Sequence, residues 1–377
     1  MAQLSNELII GIDLSDEYAQ LTYYHQSVRE PVTLSDPADP QHMFLDAKTF
    51  RDPDGSYHFD RLFSGLTVLT RSSVLYVMVT VRDLTEELGN QITDALCQYG
   101  IDRKRVYIQD YFSSFYYYTV NQKKDLWYQD VALIECRDEI IYGHVLHIDR
   151  STRPAIAHVD TISRRSMGDE VRQNLGDEEW KREKDRLFFE FLKKVFEGRS
   201  ISTCYLLGDY FSRDWAQKSI QYLCYKRHAY QGENLYSRGA CYAAMERAGL
   251  IRSRDIIYGG NDMVTSNLGM EMSIRGKTTY YPLVNAGVNW YEAHHECQFI
   301  LNHENTIRIT SKPMAAGEEV LHILRLPGLP ERPDRATRVR MNLYFSAPGK
   351  CHIEVEDLGF GGFYRPCQKT WKRSISV

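Results

Sequence analysis

The chain has 377 residues, 43% of them hydrophobic and 25% charged, with a net charge of −4 and an isoelectric point near 6.3. A single hydrophobic core stops growing at roughly 250–300 residues, so this length predicts two domains. The slightly acidic balance argues against nucleic acid or a membrane as the partner, and the lack of a signal peptide or of ~20 consecutive apolar residues predicts a cytoplasmic protein.

The first predicted element is a hairpin with a carboxylate at its turn. Ile9, Ile10 and Ile12 form an apolar run, Asp13 closes it, and a polar turn leads to the β-prone residues 19–24. Aspartate is common at such positions because its side chain can cap the turn backbone. On the sequence alone, Asp13 is therefore either a turn residue or a site residue.

An irregular hairpin is predicted over residues 44–63, and a strand–helix–strand–helix series follows it. The strand "VLYVMVTVRD" leads into the helix "TEELGNQITDALCQYG", for which Thr85 is the expected N-cap and Gly100 the stop signal. "RVYIQD" predicts a short strand and "YFSSFYYYTVNQ" a buried aromatic helix. Asp110 lies between these two elements, where it either caps the helix or belongs to a site.

The second part of the α/β region begins with another strand pair. Residues 130–149 predict two antiparallel strands around the turn "CRD" at 136–138. An amphipathic helix is predicted over residues 177–197, because large apolar side chains recur there on one face. The strand "ISTCYLLGDYF" then contains the turn-forming residues Gly208 and Asp209 near its end.

A helix rich in small residues ends the first predicted domain, and strands make up the second. In the helix "NLYSRGACYAAMERAGLI", Gly239 permits the close approach of another backbone or of a ligand. Beyond it, alternating strands are joined by Gly, Pro and Asn turns, and no helix is predicted. About six to eight such strands predict a sandwich or barrel. The expected domains are residues 1–258 and 259–377.

In this order of elements the chain resembles the DnaK-type seventy-kilodalton heat-shock chaperones of the actin-like ATPase superfamily, in a shortened form. "IIGIDLSDEYAQLTYY" is similar to their first phosphate segment, and "VALIECRDEIIYGHVL" occupies the place of the second phosphate hairpin. "YLLGDYFSRDWAQKSIQ" stands at the adenosine-side loop, and "RSRDIIYGGNDMVTSNLGMEM" follows the linker and the first strand of the substrate domain. The resemblance implies an α/β, actin-like (ribonuclease-H-like) fold of two lobes, followed by an all-β sandwich.

The same resemblance implies a cleft for ATP or ADP with magnesium. Magnesium takes one or two carboxylates together with phosphate oxygens, so Asp13 would be the metal ligand. The implied catalytic acids are Asp13, Glu135 and Asp110. The implied nucleotide-binding residues are Asp13, Leu14, Ser15, Arg137, Gly208, Asp209 and Gly239.

The chain departs from the family at the glycines that let backbone amides close on phosphates. Ser15 replaces one glycine, "CRD" replaces three, and Asp209 adds a negative charge. Losing two or three charge-assisted hydrogen bonds of ~1.5–3 kcal/mol each would weaken nucleotide binding by ~3–9 kcal/mol. We therefore expect weak ATP binding and negligible hydrolysis. Arg137 could instead supply a phosphate contact from its side chain.

The β domain offers candidate residues for holding a peptide or protein partner. Met270, Met272 and Tyr291 lie in its early strands and would give adaptable apolar contact, although such residues in alternating strands also form cores. His295 and Cys297 could share one strand face as metal ligands, but two ligands without a companion pair favour a packed strand. Because the last strands are followed closely by Val377, we expect no helical lid.

Three classes of function are compatible with the sequence. The first is a chaperone-like protein that binds a peptide or partner and has a degenerate nucleotide cleft. The second is an active actin-like ATPase or small-molecule kinase, whose catalytic acid would be Asp110 or Glu135. The third is a non-hydrolysing structural scaffold. The substituted phosphate turns favour the first class.

Overall fold

The chain forms two compact units in the computed structural model. The first comprises Met1–Asp83 and Gln91–Gly260, and the second comprises Leu84–Asn90 and Asn261–Val377. The structure describes residues 7–15, 17–35, 44–53, 55–63, 74–168, 172, 175–208, 210–211, 214–252, 255–302, 305–314 and 317–377. Among these residues, no helix combines the length and the apolar character that crossing a bilayer requires.

The first lobe of the first unit is built on a six-stranded sheet. Its strands are β1 (Glu7–Leu14), β2 (Tyr18–Tyr24), β3 (Val32–Thr33), β4 (Leu45–Asp46), β5 (Val74–Val81) and β6 (Val106–Asp110). The main order is β3-β2-β1-β5-β6, with β4 beside β2. β1 pairs antiparallel with β2 and parallel with β5, which in turn pairs parallel with β6. The helices are α1 (Ala47–Phe50), α2 (Phe59–Phe63), α3 (Glu86–Gln98) and α4 (Tyr111–Val120), of which residues 86–90 of α3 belong to the second unit.

The second lobe repeats this plan. Its strands are β7 (Asp130–Arg137), β8 (Ile140–Asp149), β9 (Ala155–Ser166), β10 (Ile201–Leu207), β11 (His228–Gly232) and β12 (Ile256–Tyr258), in the order β11-β10-β7-β8-β9-β12. As with β1, the first strand β7 is central, antiparallel to its hairpin partner β8 and parallel to β10. The helices are α5 (Asp177–Phe196), α6 (Gln217–Cys224) and α7 (Leu235–Arg247). This duplication is the two-lobed actin-like ATPase fold.

Close helix packing joins the two halves of the first unit. A methyl group on Gly239 of α7 would lie 2.0 Å from the Ser114 carbonyl oxygen of α4. A methyl group on Gly11 of β1 would lie 2.2 Å from the Cys241 amide of α7. Both positions therefore exclude a side chain, and α7 packs directly on both the first sheet and α4. Of the two alternatives for Gly239, the structure shows approach by another backbone.

The second unit is a β-sandwich, and the described part of 261–377 contains no helix. One antiparallel sheet has the order β14-β13-β16-β17 and the other β15-β18-β19-β20. The strands are β13 (Ser266–Ile274), β14 (Lys277–Val284), β15 (His294–Leu301), β16 (Thr306–Pro313), β17 (Val320–Arg325), β18 (Thr337–Ala347), β19 (Lys350–Gly359) and β20 (Thr370–Ser376). Alternate side chains of both sheets, such as Ile309 and Val339, share one core.

One local prediction was confirmed only in part and another was wrong. Residues 44–63 form β4, α1 and α2, and of the irregular hairpin expected there the described residues show one antiparallel bridge, between Arg51 and Tyr57. The Asp46 side chain caps α1 by accepting from the Lys48 amide at 2.9 Å. The turn between β7 and β8 lies at Asp138 and Glu139, after the predicted position. It is displaced because β7 continues to Arg137, which pairs with Ile140 in the ladder.

Candidate functional site

The first hairpin places Asp13 at the carboxyl end of β1, opposite Gln20. Asp13 is 3% exposed, and Leu14 beside it is also buried. The Ser15 amide donates to the Tyr18 carbonyl at 2.9 Å, and the Ser15 hydroxyl lies within hydrogen-bond distance of the Glu17 and Tyr18 amides. The polar groups of Ser15 are thus engaged in closing the hairpin.

The second hairpin places Glu135 at the corresponding end of β7, where it is 5% exposed. Arg137 Nη2 lies 2.9 Å and His144 Nε2 lies 3.2 Å from the Glu135 Oε1 atom. The Tyr236 hydroxyl of α7 donates to Glu135 Oε2 at 2.9 Å. Each carboxylate oxygen therefore has a partner within the protein, and Arg137 forms an ion pair with Glu135 while its guanidinium lies over the Tyr142 ring.

Two tyrosines connect the surroundings of these acids. The rings of Tyr111 and Tyr236 stack at 4.3 Å with an interplanar angle of 8°, and both are buried. The Arg82 guanidinium lies 4.8 Å from the centre of the Tyr111 ring. Side chains from β1, α4, β7, β8 and α7, together with Arg82 after β5, consequently form one polar cluster, which we call the lobe-joining cluster. It is buried except for the exposed Arg82 and the half-buried Arg137. Its members are Asp13, Arg82, Tyr111, Glu135, Arg137, His144 and Tyr236.

The electrostatics of the cluster are dominated by burial. Burial raises the pKa of Asp13 to about 7; nearby Tyr111 and Arg82 oppose this rise, and the charge on Glu135 adds to it. Burial, followed by the charge on Glu135, raises the pKa of Tyr236 well above its ordinary value. By distance and angle, Asp13 Oδ1, the Tyr111 hydroxyl and Arg137 Nε have no hydrogen bond from the described residues, but the Tyr111 hydroxyl is near enough to the Asp13 carboxyl to act against the rise of its pKa. The cluster is therefore only partly satisfied.

The second turn contains no glycine and is formed by two residues with positive φ. Asp138 has φ 49° and Glu139 has φ 58°, which is the geometry of a two-residue hairpin turn. The Glu139 carbonyl accepts the Met167 amide at 2.7 Å. The residues that stand where the resemblance expects three glycines thus form the end of β7 and the start of a turn made of residues with side chains.

The remaining residues implied by the resemblance lie in different settings. Asp110 caps α4, because its carboxylate accepts from the Ser113 amide at 2.7 Å, and burial raises its pKa. The structure thus shows the capping alternative. Gly208 follows β10 with φ 85°, and among the described residues no atom lies within 4 Å of a Cβ built on it. Asp209 lies outside the described residues.

The sequence matches two families of unknown function. Residues 58–261, more than half of the chain, match the family of unknown function DUF5716 in its C-terminal part. The chain belongs to this DUF5716 family. Residues 263–377 match the domain of unknown function DUF8552. No curated protein matches the chain.

The solved structures similar to this DUF5716 chain include the following two. One is a protein with actin-like ATPase fold and unknown function from Bacteroides thetaiotaomicron VPI-5482, with 9% identity and a TM-score of 0.32 over 65% of this chain and 99% of its own. The other is a ROK family transcriptional regulator, a homologue of the E. coli MLC protein, with 9% identity and a TM-score of 0.39 over 64% and 78%. The actin-like plan of this chain is visible in its own two sheets.

A magnesium–nucleotide group would have to displace contacts that the cluster already makes. Among the described residues, no three His, Cys, Asp or Glu side chains are grouped to hold a metal by protein ligands alone, and this includes the region of His295 and Cys297. Asp13 and Glu135 are enclosed by packed aromatic rings. Ser15 uses its amide in the hairpin turn, and the pairing of Arg137 with Glu135 would compete with a phosphate.

The candidate partner residues of the β-sandwich lie inside it or against its core. Met270 is 5% exposed and belongs to the core, and Met272 packs against that core. Within the second unit, Tyr291 is half-buried, and its hydroxyl donates to the Asn90 side-chain oxygen at 3.2 Å. This burial does not support a peptide contact by Met270, because alternation directs that side chain inward.

Sequence reasoning missed four members of the cluster: Arg82, Tyr111, His144 and Tyr236. A signal existed for two of them. Arg82 follows β5 directly and Tyr111 follows β6, so both stand at the carboxyl ends of strands parallel to β1, the edge where α/β sheets carry their sites. His144 and Tyr236 are brought in by β8 and α7, and no local motif marks them.

Proposed function

We propose that this chain is a chaperone-like, partner-binding protein whose α/β unit has lost nucleotide hydrolysis. The observation that carries the proposal is the pairing of buried Glu135 with Arg137, His144 and Tyr236 at the hairpin where the resemblance expects phosphates. In this setting the α/β unit serves as a fixed base for the sandwich.

The chemistry of Glu135 supports this proposal. A phosphate near a buried carboxylate would meet like-charge repulsion in a medium of low dielectric constant, where such interactions are strong. Arg137 would have to leave Glu135 to bind the phosphate, and the carboxylate would then be left buried without its cation. Arg137 therefore does not compensate for the missing glycines in this proposal.

Contacts between the two lobes of the α/β unit support the proposal that these lobes do not separate. Tyr236 of α7 donates to Glu135 of β7, and Gly239 of α7 packs on Ser114 of α4. An actin-like ATPase needs its lobes to separate for nucleotide exchange. Here separation would expose a buried carboxylate and a stacked tyrosine pair, so we propose that the lobes do not cycle.

The alternative, an active ATPase or small-molecule kinase, is favoured by one feature of Asp13. Its Oδ1 atom is buried without a hydrogen bond from the described residues, and its pKa is about 7. Perturbed carboxyl groups of this kind also occur as catalytic bases. In that case Asp13 would take a proton or a magnesium ion at Oδ1.

Phosphate release from magnesium-ATP separates the two candidates. The wild type, Asp13→Asn and Asp160→Asn, the last at a 62% exposed side chain, are measured side by side. We expect all three to release phosphate at the background rate. Turnover that is lost in Asp13→Asn and kept in Asp160→Asn would establish the ATPase and overturn the proposal.

The partner in this proposal is a protein or peptide in the cytoplasm. The net charge of −4 gives no electrostatic attraction to nucleic acid or to anionic lipid. The β-sandwich is the candidate partner-binding unit by its resemblance to the chaperone substrate domain. Since Met270 is in the core, the contact surface must lie elsewhere on the sandwich.

A further inference from the structure

Strand β17 is an edge strand with an unusual number of exposed aliphatic side chains. It is the last strand of the order β14-β13-β16-β17. Val320 is 48% exposed, Leu321 54% and Ile323 41%, so half of this six-residue strand is aliphatic and exposed. Native proteins usually blunt such edges with charges, proline or bulges, because an open edge pairs with other strands.

In β17 the backbone amide and carbonyl groups of the odd-numbered residues point away from the neighbouring strand β16. The Leu326 amide donates inward to the Asn305 carbonyl at 2.9 Å. The Ile323 carbonyl accepts instead from Arg373 Nη1 of β20 at 2.9 Å. Because strand backbone groups alternate in direction, Leu321 and Ile323 direct their amides and carbonyls away from β16. A side chain, rather than a strand, therefore covers one carbonyl of this edge.

The same two residues place their side chains on the outer face of the sheet. Leu324 is buried in the core, so the alternate residues Leu321 and Ile323 face outward. On this face the Tyr280 side chain, which is 49% exposed, lies over Gly269. Gly269 pairs with Thr310, and Thr310 in turn pairs with Leu321. The apolar surface of the edge thus continues across the sheet.

Charged side chains of opposite sign flank the two ends of this edge. The exposed Glu318 and Glu319 precede Val320, whereas the exposed Arg325 ends the strand and the exposed Arg373 lies against Ile323. The basic charge therefore lies at the end formed by Ile323 and Arg325. An acidic side chain of an added strand could pair with Arg373 and release the Ile323 carbonyl for a main-chain hydrogen bond. Aliphatic side chains of that strand would lie beside Leu321 and Ile323.

We propose that β17 is a docking edge that binds an extended segment of a partner protein with aliphatic and acidic residues at alternating positions. The segment is added to the sheet as a further strand, so main-chain hydrogen bonds supply affinity and the alternating side chains supply selectivity. This inference rests on the proposed partner-binding function and names its surface and its ligand chemistry.

The test uses a fluorescein-labelled decapeptide with valine at alternate positions and glutamate between them. Fluorescence anisotropy compares the full-length wild type with the double variant Leu321→Ser, Ile323→Ser. The matched control is Ile300→Ser, at a 48% exposed isoleucine on the edge strand β15 of the other sheet. We expect saturable binding by the wild type and by Ile300→Ser, and affinity at least tenfold weaker in the double variant.

Two further probes test the mechanism. A peptide with N-methyl groups on the amides of one edge should bind at least tenfold more weakly, and so should a peptide with lysine in place of glutamate. No binding by the wild type, or equal binding of the N-methylated peptide, would overturn the inference. A β17-dependent dimer seen by sedimentation, with no peptide binding, would also overturn it.

The outcomes separate this inference from the proposed function. If the double variant still binds the peptide, the proposed partner-binding function stands, but β17 is not the binding surface. ATP turnover dependent on Asp13 would reject the proposed function, whatever the peptide result.

Discussion

Asp13 of the first unit and Asp357 of the second are both buried aspartates, 3% and 1% exposed, but their surroundings differ. Asp357 accepts from both terminal nitrogens of Arg332 at 2.8 and 2.7 Å and from the Gly359 and Cys367 amides at 2.9 and 2.8 Å. Burial acts to raise the pKa of Asp357, but these donors together hold it below its ordinary value. For Asp13, burial outweighs the opposing effects of Tyr111 and Arg82, and its pKa is raised to about 7.

This difference teaches how to distinguish a structural carboxylate from the remains of a site. A buried charge with every oxygen satisfied stabilises one arrangement, here the loop between β19 and β20. Among the described residues, Asp13 has no comparable set of donors, and it lies at the hairpin where we propose that a nucleotide site has been lost. Four predictions follow from this comparison.

Arg332→Leu should have the largest effect, because it leaves the Asp357 carboxylate buried without its cation. We expect the free energy of unfolding of the second unit to fall by about 3–5 kcal/mol, measured by urea denaturation. The matched control is Lys372→Leu, at a 69% exposed lysine paired with Glu354, which should change stability by no more than about 1 kcal/mol. Equal effects of the two substitutions would contradict the assignment of Asp357 as a structural anchor.

Asp13→Asn should stabilise the protein in a pH-dependent manner. The folded state holds the Asp13 proton up to about pH 7, whereas the unfolded chain releases it near pH 4. The free energy of unfolding of the wild type therefore falls between about pH 4 and 7, and asparagine removes this loss. The advantage of the variant should grow by up to about 4 kcal/mol between pH 4 and pH 8.

Urea midpoints of Asp13→Asn and wild type at pH 4.5, 6 and 8 measure this advantage. Asp160→Asn serves as the exposed control and should follow the wild type at every pH. A stability difference for Asp13→Asn that does not change with pH would show that the Asp13 pKa is not raised in the folded state.

Glu135→Gln should destabilise the first unit by about 1.5–3 kcal/mol, because it removes charge-assisted bonds from a buried acceptor. Arg137 and His144 lose their anionic partner, while the amide oxygen can still accept from Tyr236. Chemical denaturation monitors the change. A neutral or stabilising effect would mean that Glu135 is held in strain and belongs to an active site.

Tyr236→Phe should have the smallest effect, about 1.5 kcal/mol, the low end for a hydrogen bond to a charged acceptor, because Arg137 and His144 still pair with Glu135 and the ring still stacks on Tyr111. In the Glu135→Gln background the same substitution should cost less, because the Tyr236 hydroxyl there donates to a neutral amide oxygen. Strict additivity would contradict a single lobe-joining cluster.

Long periodic elements of the fold could be predicted from the sequence. The apolar strands β1, β5 and β7 and the helix α3 were confirmed, with Thr85 Oγ1 near the Leu88 amide at 3.2 Å and Gly100 at φ 104°. β9 and β11 were missed because charged and half-exposed residues interrupt their alternation. Tertiary pairing with neighbouring strands, rather than local pattern, holds them in the sheet.

Three of the seven members of the lobe-joining cluster, Asp13, Glu135 and Arg137, could be predicted. They were named because the two hairpins resemble phosphate segments, and the charge on Glu135 is near enough to add to the rise of the Asp13 pKa. The partner Tyr236 is 101 residues from Glu135 in sequence, so only the packing of α7 reveals it. For Met270 the periodicity of two directs the side chain inward, but the sequence does not state which face of the sheet is covered.

A calorimetric titration with magnesium-ATP tests the central claim most directly, namely that protein side chains occupy the place of the nucleotide phosphates. We predict no saturable heat up to millimolar ATP for the wild type, and the same result for Asp13→Ala. Micromolar binding by the wild type that is lost in Asp13→Ala would contradict the account and restore a working nucleotide site.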